Sequence, residues 1–368
     1  TREGDWFSGD KLKDIKAFES FNKGDASITR VFIPANTRTK QLFRFGERKG
    51  LFKKSESELY AKIDVAILAM HGLNGEDGTL QGLLELASIP YTSSGVLGAA
   101  SGMDKILMKA AYIGADIPVL PYTYFDRDEF TADRKAILDM CEARLPYPMF
   151  VKPSNLGSSI GISKAHNREE LENAIELASG YDRRVLVEKG LDKPKEINCS
   201  GLGFGNDISV SVCEMPYNSD EFLTFSDKYL NGGKNQASME ALARRIPAPI
   251  PEEMTARVQE LTRKIFKLMD CKGVVRIDFI CDSELKELYV NEINTIPGSF
   301  AFYLWEPLGI SYESLIDKLI DIAVKANEDK KSNNFAFDSD IVKKFALGSQ
   351  KGGKAGFGKL GFGKAGKQ

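Results

Sequence analysis

Residues 274–279 read Val274-Val275-Arg276-Ile277-Asp278-Phe279, and residues 288–294 read Leu288-Tyr289-Val290-Asn291-Glu292-Ile293-Asn294, followed by Thr295-Ile296-Pro297-Gly298. Both runs carry strand chemistry, and the polar stretch Cys281 to Glu287 between them reads as a hairpin turn. Side chains alternate faces along a strand, so Arg276 and Asp278 share a face, as do Glu292 and Asn294. A hairpin folding symmetrically about Leu285 sets Asp278 opposite Glu292. Like charges in that position repel unless something positive sits between them. Two carboxylates and an amide oxygen suit magnesium, which takes one or two carboxylates and leaves its other positions to water and substrate phosphates. Taken alone, the segment also fits a solvent-facing hairpin with scattered charges.

Composition sets the frame for that hairpin. At 368 residues the chain has room for two or three domains with their own cores. An apolar content of 42% with 28% charged residues is ordinary for a globular protein. There is no run of 18 apolar residues and no charged-then-apolar leader, so neither a membrane span nor a secretory signal is expected. The five cysteines lack metal-ligand spacing and are expected as thiols in a reducing cytoplasm. Two histidines are too few for a histidine-based zinc site. From Lys343 onward the chain carries seven lysines and no acid, and setting these aside takes the net charge from −2 to −9. This Gly/Lys-rich stretch, with Phe357 and Phe362 in a near-repeated Gly-Phe-Gly-Lys unit, cannot bury a core and is expected to be a disordered tail. Weak contact with nucleic acid or anionic surfaces is the functional alternative to a solvated tail, and no specific nucleic-acid partner is expected.

Along the chain, Thr1 to Lys54 is weakly patterned, with one strand candidate at Ile28 to Ile33. A strand is predicted from Val65 to Met70, ending in His71. The glycine-rich loop Gly72 to Gly78 and a helix from Thr79 to Ala87 follow. Ser101 to Ile113 reads as one helix with Ser101 as N-cap and Gly114 as stop. Asn167 with Glu170 starts another, bearing Leu171, Ala174, Ile175 and Ala178 on one face. Two further amphipathic helices carry Met254, Val258, Leu261, Ile265 and Leu268, and Leu315, Ile316, Leu319 and Ile320. Strands and helices mixed in this way imply an α/β or α+β protein.

Two further segments carry chemistry. Phe150-Val151-Lys152-Pro153-Ser154-Asn155-Leu156-Gly157-Ser158-Ser159-Ile160-Gly161 is a strand running into a loop of small residues. Its N–H groups can approach an anion, and Lys152 adds a point charge. It is not a P-loop, because the lysine precedes the loop. Val185-Leu186-Val187-Glu188-Lys189-Gly190-Leu191, with Glu196 beyond, is an apolar strand ending in a carboxylate and a second acid eight residues on. Such a pair can hold an adenine amine and a ribose hydroxyl, or simply end an edge strand.

The order of these pieces resembles the ATP-grasp superfamily, and within it the D-alanine–D-alanine ligase family. That order is Lys105, the Lys-Pro-Ser loop, the Val-Glu-Lys strand, Asp227-Lys228-Tyr229, Arg-Ile-Asp and Asn-Glu-Ile-Asn. The most specific match is His71-Gly72-Leu73-Asn74-Gly75-Glu76-Asp77-Gly78-Thr79-Leu80-Gln81-Gly82, continued by Ile89-Pro90-Tyr91-Thr92 and Met103-Asp104-Lys105. The similarity spans roughly residues 60 to 328. It implies an ATP-grasp fold with an N-terminal substrate lobe at 1–93, a central lobe at 94–187, a C-terminal metal-binding lobe at 188–330 and a tail at 331–368. It also implies roles. Lys105, Lys152 and Ser159 would bind ATP phosphates, with Lys228 reaching them from a closing loop. Glu188 would take the adenine amine beside Leu191, and Glu196 the ribose. Asp278, Glu292 and Asn294 would hold two magnesium ions, with manganese as a possible replacement. Arg276 and the N–H of Gly298 would stabilise an oxyanion. Ser158 and Tyr229 match a hydrogen-bonded pair beside the substrates, and His71 an acceptor-side histidine. The implied reaction joins D-alanine to a second D-alanine through D-alanyl phosphate, supplying a peptidoglycan precursor, in a cytoplasmic homodimer.

Two departures from the family pattern qualify this expectation. The opening Thr1-Arg2-Glu3-Gly4-Asp5-Trp6 resembles family sequence that follows a first strand–helix–strand unit, so either the chain is a truncated product or the N-terminal lobe lacks that unit. Tyr303, next to Leu304 in the expected acceptor pocket, stands where the family commonly has a serine that contacts the acceptor's carboxylate. D-serine as acceptor, another dipeptide-forming ATP-grasp ligase and a catalytically dead ATP-binding relative are the competing readings.

Overall fold

The computed structural model describes residues 1, 3–36, 40–46, 57–157, 159–216 and 244–333. The chain opens with β1 (Trp6–Ser8), β2 (Thr29–Phe32), β3 (Gln41–Arg44) and β4 (Glu58–Lys62), which form an antiparallel sheet in that order. Only β2 is anticipated by pattern. The other three are short and contain no buried residue, so no apolar alternation marks them. The predicted strand at Val65 to Met70 is reduced to a single parallel bridge between Ala66 and Tyr91. The hydroxyl of Thr92 takes the N–H of Leu68 at 3.1 Å, so a side chain stands where the next backbone rung would be.

Helix α1 (Thr79–Leu86) follows the glycine-rich loop. The single helix expected over Ser101 to Ile113 is two helices, α2 (Val96–Met103) and α3 (Lys105–Gly114). Asp104 breaks them: its backbone is extended and its carboxylate accepts the N–H groups of Ile106 at 3.1 Å and Leu107 at 3.0 Å. Ser101 caps nothing; its hydroxyl donates to the Leu97 carbonyl inside α2.

Next come β5 (Tyr122–Asp126), α4 (Arg127–Ala132), α5 (Arg134–Arg144), β6 (Met149–Pro153), β7 (Ser163–Ala165), α6 (Arg168–Ser179) and β8 (Arg184–Lys189). The strands form a sheet in the order β5-β8-β6-β7. Asn167 caps α6 by accepting the N–H of Glu170, as its sequence signature predicts. Ile137, Leu138, Leu171 and Ile175 of the helices pack on Val151, Val185 and Val187 of the sheet.

The last part contains β9 (Lys195–Phe204), β10 (Asp207–Pro216), β11 (Arg244–Arg245), α7 (Glu252–Leu268), β12 (Lys272–Cys281), β13 (Leu288–Asn294) and α8 (Tyr312–Ser332). Its sheet runs β11-β10-β9-β12-β13. One face is covered by Val258, Ile265 and Phe266 of α7 and by Met108 and Tyr112 of α3. Glycine at 201 permits this approach, since a Cβ there would lie 2.8 Å from the Phe266 ring. The opposite face is covered at the Val274 end by Trp305, Leu304, Leu315 and Leu319. At the Arg276–Asp278 end it stays partly open, and the site forms there. Residues 1–327 form one compact unit. Among the described residues no helix is long and apolar enough to cross a membrane, and the five cysteines are buried and free.

Candidate active site

The β12–β13 hairpin pairs Arg276 with Asn294 and Asp278 with Glu292, as symmetry about Leu285 requires. Below that point the register slips, because Phe279 pairs with Val290 and Asn291 is left as the extra residue of a bulge. The bulge sets the chemistry of the face. Leu288 and Val290 point into the core on even numbers, whereas Ile293 does so on an odd one. Without the extra residue, the phase that buries Leu288 and Val290 would drive Glu292 and Asn294 into the core as well. With it, they share the open face with Arg276 and Asp278.

On that face Arg276 forks onto Asp278, Nε to Oδ1 at 2.6 Å and an Nη to Oδ2 at 2.7 Å. Burial opposes the guanidinium charge, but the adjoining Asp278 carboxylate more than offsets it and holds the group protonated. The Asn294 amide N–H₂ donates to Asp278 at 2.9 Å, which turns its oxygen away from that contact. Oxygens of Asp278, Glu292 and Asn294 make a hard donor set that fits magnesium. Among the described residues no three His, Cys, Asp or Glu side chains gather into a metal cluster, so the set is two carboxylates and an amide.

Lysines reach this face from two other elements. Lys105 opens α3 just past its Asp104 cap; its Nζ donates to the Leu156 carbonyl at 2.6 Å and lies 3.6 Å from Glu292. Asp104 also accepts from the Ser154 hydroxyl at 3.0 Å and pairs with Arg184. The α3 N-terminus and the loop after β6 are therefore tied together. Lys152 on β6 contacts the bulged Asn291 at 3.3 Å and pairs with Glu188 on β8. Glu188 has a second cation, Lys109, at 3.0 Å. Burial would raise the Glu188 pKa, yet the two lysines pull it down to about 2. A cavity of about 30 Å³ lies between Glu76, Lys105, Leu156, Gly157, Glu292 and Asn294. The larger cleft, about 630 Å³, is lined by residues from 113 to 122 with Arg144, Leu145 and Arg257 and holds none of the expected site residues.

The other expected residues are placed as follows. Ser159 is a left-handed residue in the loop after β6, and Glu196 is an exposed residue of β9. Leu191 is buried just beyond β8. His71 is exposed next to Gly72, whose N–H donates to Glu76 at 2.7 Å. Gly298 has open space around its Cα and begins a turn in which Ser299, Phe300 and Ala301 are all left-handed. Leu304 is wholly buried in the core, while Tyr303 donates to Glu214 at 3.1 Å. Ser158, Lys228 and Tyr229 lie outside the described residues.

Comparison with known proteins gives the family. The sequence matches the family models described as D-ala D-ala ligase N-terminus over residues 1–94 and D-ala D-ala ligase C-terminus over residues 112–321. The chain belongs to the D-alanine–D-alanine ligase family. It is 45% identical to the D-alanine–D-alanine ligase of Acetivibrio thermocellus over 76% of this chain and 73% of that one. Against the Thermosipho melanesiensis ligase the identity is 35%, over 93% of this chain and 87% of the other. Among solved structures, the VanG D-Ala:D-Ser ligase of Enterococcus faecalis superposes with a TM-score of 0.70 at 30% identity, covering 88% of each chain. The fold is that of these ligases, the ATP-grasp fold.

Two residues beside the expected site residues, Lys109 paired with Glu188 and Glu76 lining the small cavity, are not singled out by the sequence. Lys109 follows Lys105 by one helical turn, a spacing that places both on one face of α3, yet a lysine there reads as helix surface. Glu76 stands inside the quoted glycine-rich motif. Burial raises its pKa, opposed by the Gly72 N–H and by His71.

Proposed function

We propose that the chain joins D-alanine to a second D-alanine at the expense of ATP, through a D-alanyl phosphate, releasing ADP and phosphate and supplying a peptidoglycan precursor. The observation that carries this reading is the open face of the hairpin. There Asp278, Glu292 and Asn294 converge opposite Lys105 and Lys152, within a chain of this family. Phosphoryl transfer needs charge neutralisation and positioning more than a strong base. Lys105 and Lys152 would hold ATP phosphates, with Ser159 and the neighbouring loop N–H groups around them. Glu188, Leu191 and Glu196 would hold the nucleoside. Two magnesium ions, held by Asp278, Glu292 and Asn294, would neutralise the phosphate oxygens as charge shifts. Arg276 and the Gly298 N–H would receive the oxyanion formed when the second amine attacks; one such donor is typically worth about 3 kcal/mol. His71, Ser158 and Tyr229 would stand on the substrate side, and Lys228 would reach the phosphates. In the same reading the lobes are 1–93, 94–187 and 188–330, and the protein works as a cytoplasmic homodimer. D-serine as the second substrate is the alternative, favoured by Tyr303 and by the D-Ala:D-Ser ligase among the structural neighbours.

ATP-dependent phosphate release with D-alanine alone, followed by mass detection, should yield a D-alanyl dipeptide. Asp278→Ala and Glu292→Ala should each abolish turnover while the circular dichroism spectrum stays native. Near-normal rates in both variants would remove the metal assignment, and a product appearing only with D-serine would select the alternative.

A further inference from the structure

Glu214 stands in a polar row that crosses four strands. It pairs with Asn198, Asn198 pairs with Asp278, and Asp278 pairs with Glu292. Residues directly opposite across strands present their side chains on one face. The row therefore extends the metal-binding face by an amide and a third carboxylate, and neither has a part in the reading above. Glu214 is 2% exposed, so its charge has to be answered locally. Among the described residues three groups contact it. The Asn198 amide donates at 3.1 Å, the Tyr303 hydroxyl donates at 3.1 Å, and the Arg244 guanidinium lies 3.5 Å away. Arg244 also stacks on Tyr303, its Cζ 4.1 Å from the ring centroid.

The two guanidiniums near Tyr303 differ in what they have left to give. Arg276 spends Nε and one Nη on Asp278. Among the described residues Arg244 has one carboxylate at the edge of ion-pair distance, an aromatic platform beneath it, and a side chain 24% exposed. A guanidinium carries five N–H donors, and stacking on an aromatic ring orients the plane while leaving its edge free. Tyr303 stands where a hydroxyl that meets the acceptor's carboxylate is expected, but its own hydroxyl is committed to Glu214. We infer that Arg244, stacked on Tyr303 and steered by Glu214, receives the carboxylate of the accepting amino acid. Glu214 is then a positioning residue, and an acceptor that bears a carboxylate binds more tightly than a simple amine. This rests on the proposed ligase reading, in which the acceptor enters beside Tyr303.

Hydroxylamine separates the two ideas, because it is a nucleophile without a carboxylate. Its nitrogen attacks the acyl carbon of D-alanyl phosphate, the bond from that carbon to the phosphate oxygen breaks, and phosphate leaves with D-alanyl hydroxamate as product. With the full chain, ATP, magnesium and D-alanine, Arg244→Met should raise the apparent KM for the second D-alanine about 10- to 100-fold, the loss of one charge-assisted contact. Hydroxamate formation should stay within about twofold. Arg244→Lys should recover part of the dipeptide KM, and Glu214→Gln should raise it less than Arg244→Met, with kcat little changed. An unchanged dipeptide KM in Arg244→Met would overturn the inference. So would parallel loss of both products in Arg244→Met and Arg244→Lys. If the wild-type chain makes neither product, the ligase reading fails and this inference falls with it.

Discussion

Glu188 shows how much a single buried carboxylate can depend on its neighbours. It is 2% exposed, and two lysines from different elements, Lys109 on α3 and Lys152 on β6, converge on it. Its pKa falls from 4.5 to about 2: burial alone would raise it, but the lysines prevail. A depressed carboxylate adds stability that is present above its unfolded pKa and lost as pH falls through the folded one. The window therefore runs from about pH 4.5 down to about 2, and the shift corresponds to about 3 kcal/mol. Urea unfolding of wild type and Glu188→Gln across that window should show the variant's stability falling less steeply by a comparable amount. Equal slopes would mean that the lysines do not hold Glu188 ionised. The carboxylate is legible in the sequence as the end of an apolar strand. Its lysine partners are not, because nothing local says that residues 109 and 152 meet it.

At the scale of elements, the hairpin illustrates what pattern can and cannot carry. Its strands, its turn and the facing of Asp278 and Glu292 follow from alternation and symmetry. The bulge at Asn291 has a trace in the sequence, since the apolar phase changes between Val290 and Ile293, but a two-residue period alone does not announce it. The start of β12 depends on a different constraint. Gly273 has φ +74°, and a Cβ there would lie 2.3 Å from the Thr92 carbonyl oxygen. Gly273→Ala should destabilise the protein by at least about 2 kcal/mol, from left-handed strain plus the steric shift. Thermal melting is the check, and an unchanged midpoint would show that the strand end relaxes freely. The split of α2 from α3 has the same moral. Asp104 competes for backbone N–H groups more strongly than Ser101, and it then locks the next helix to the Ser154 loop.

For the whole molecule, the acidic body and the lysine-rich C-terminal stretch carry opposite charge. None of the expected site residues lies in that stretch, and its composition offers no core. Deleting residues 346–368 should leave the specific ligation rate unchanged, and a fall of more than about tenfold would give the stretch a part in turnover. The family and the fold class were legible because spaced motifs survive in linear order, and because strand and helix periods report which side of each element is apolar. So was the pairing of Asp278 with Glu292, which lie on adjacent strands of one hairpin and need only local register to face each other. Tertiary structure alone decided what comes from far apart in the chain. It buried Lys109 against Glu188, and it set Asn291 of the bulge before Lys152. It also gathered Glu214, Arg244 and Tyr303 beside the hairpin. Such pairings depend on how three sheets pack, and burial between them turns ordinary surface residue types into partners that a linear pattern has no means to name.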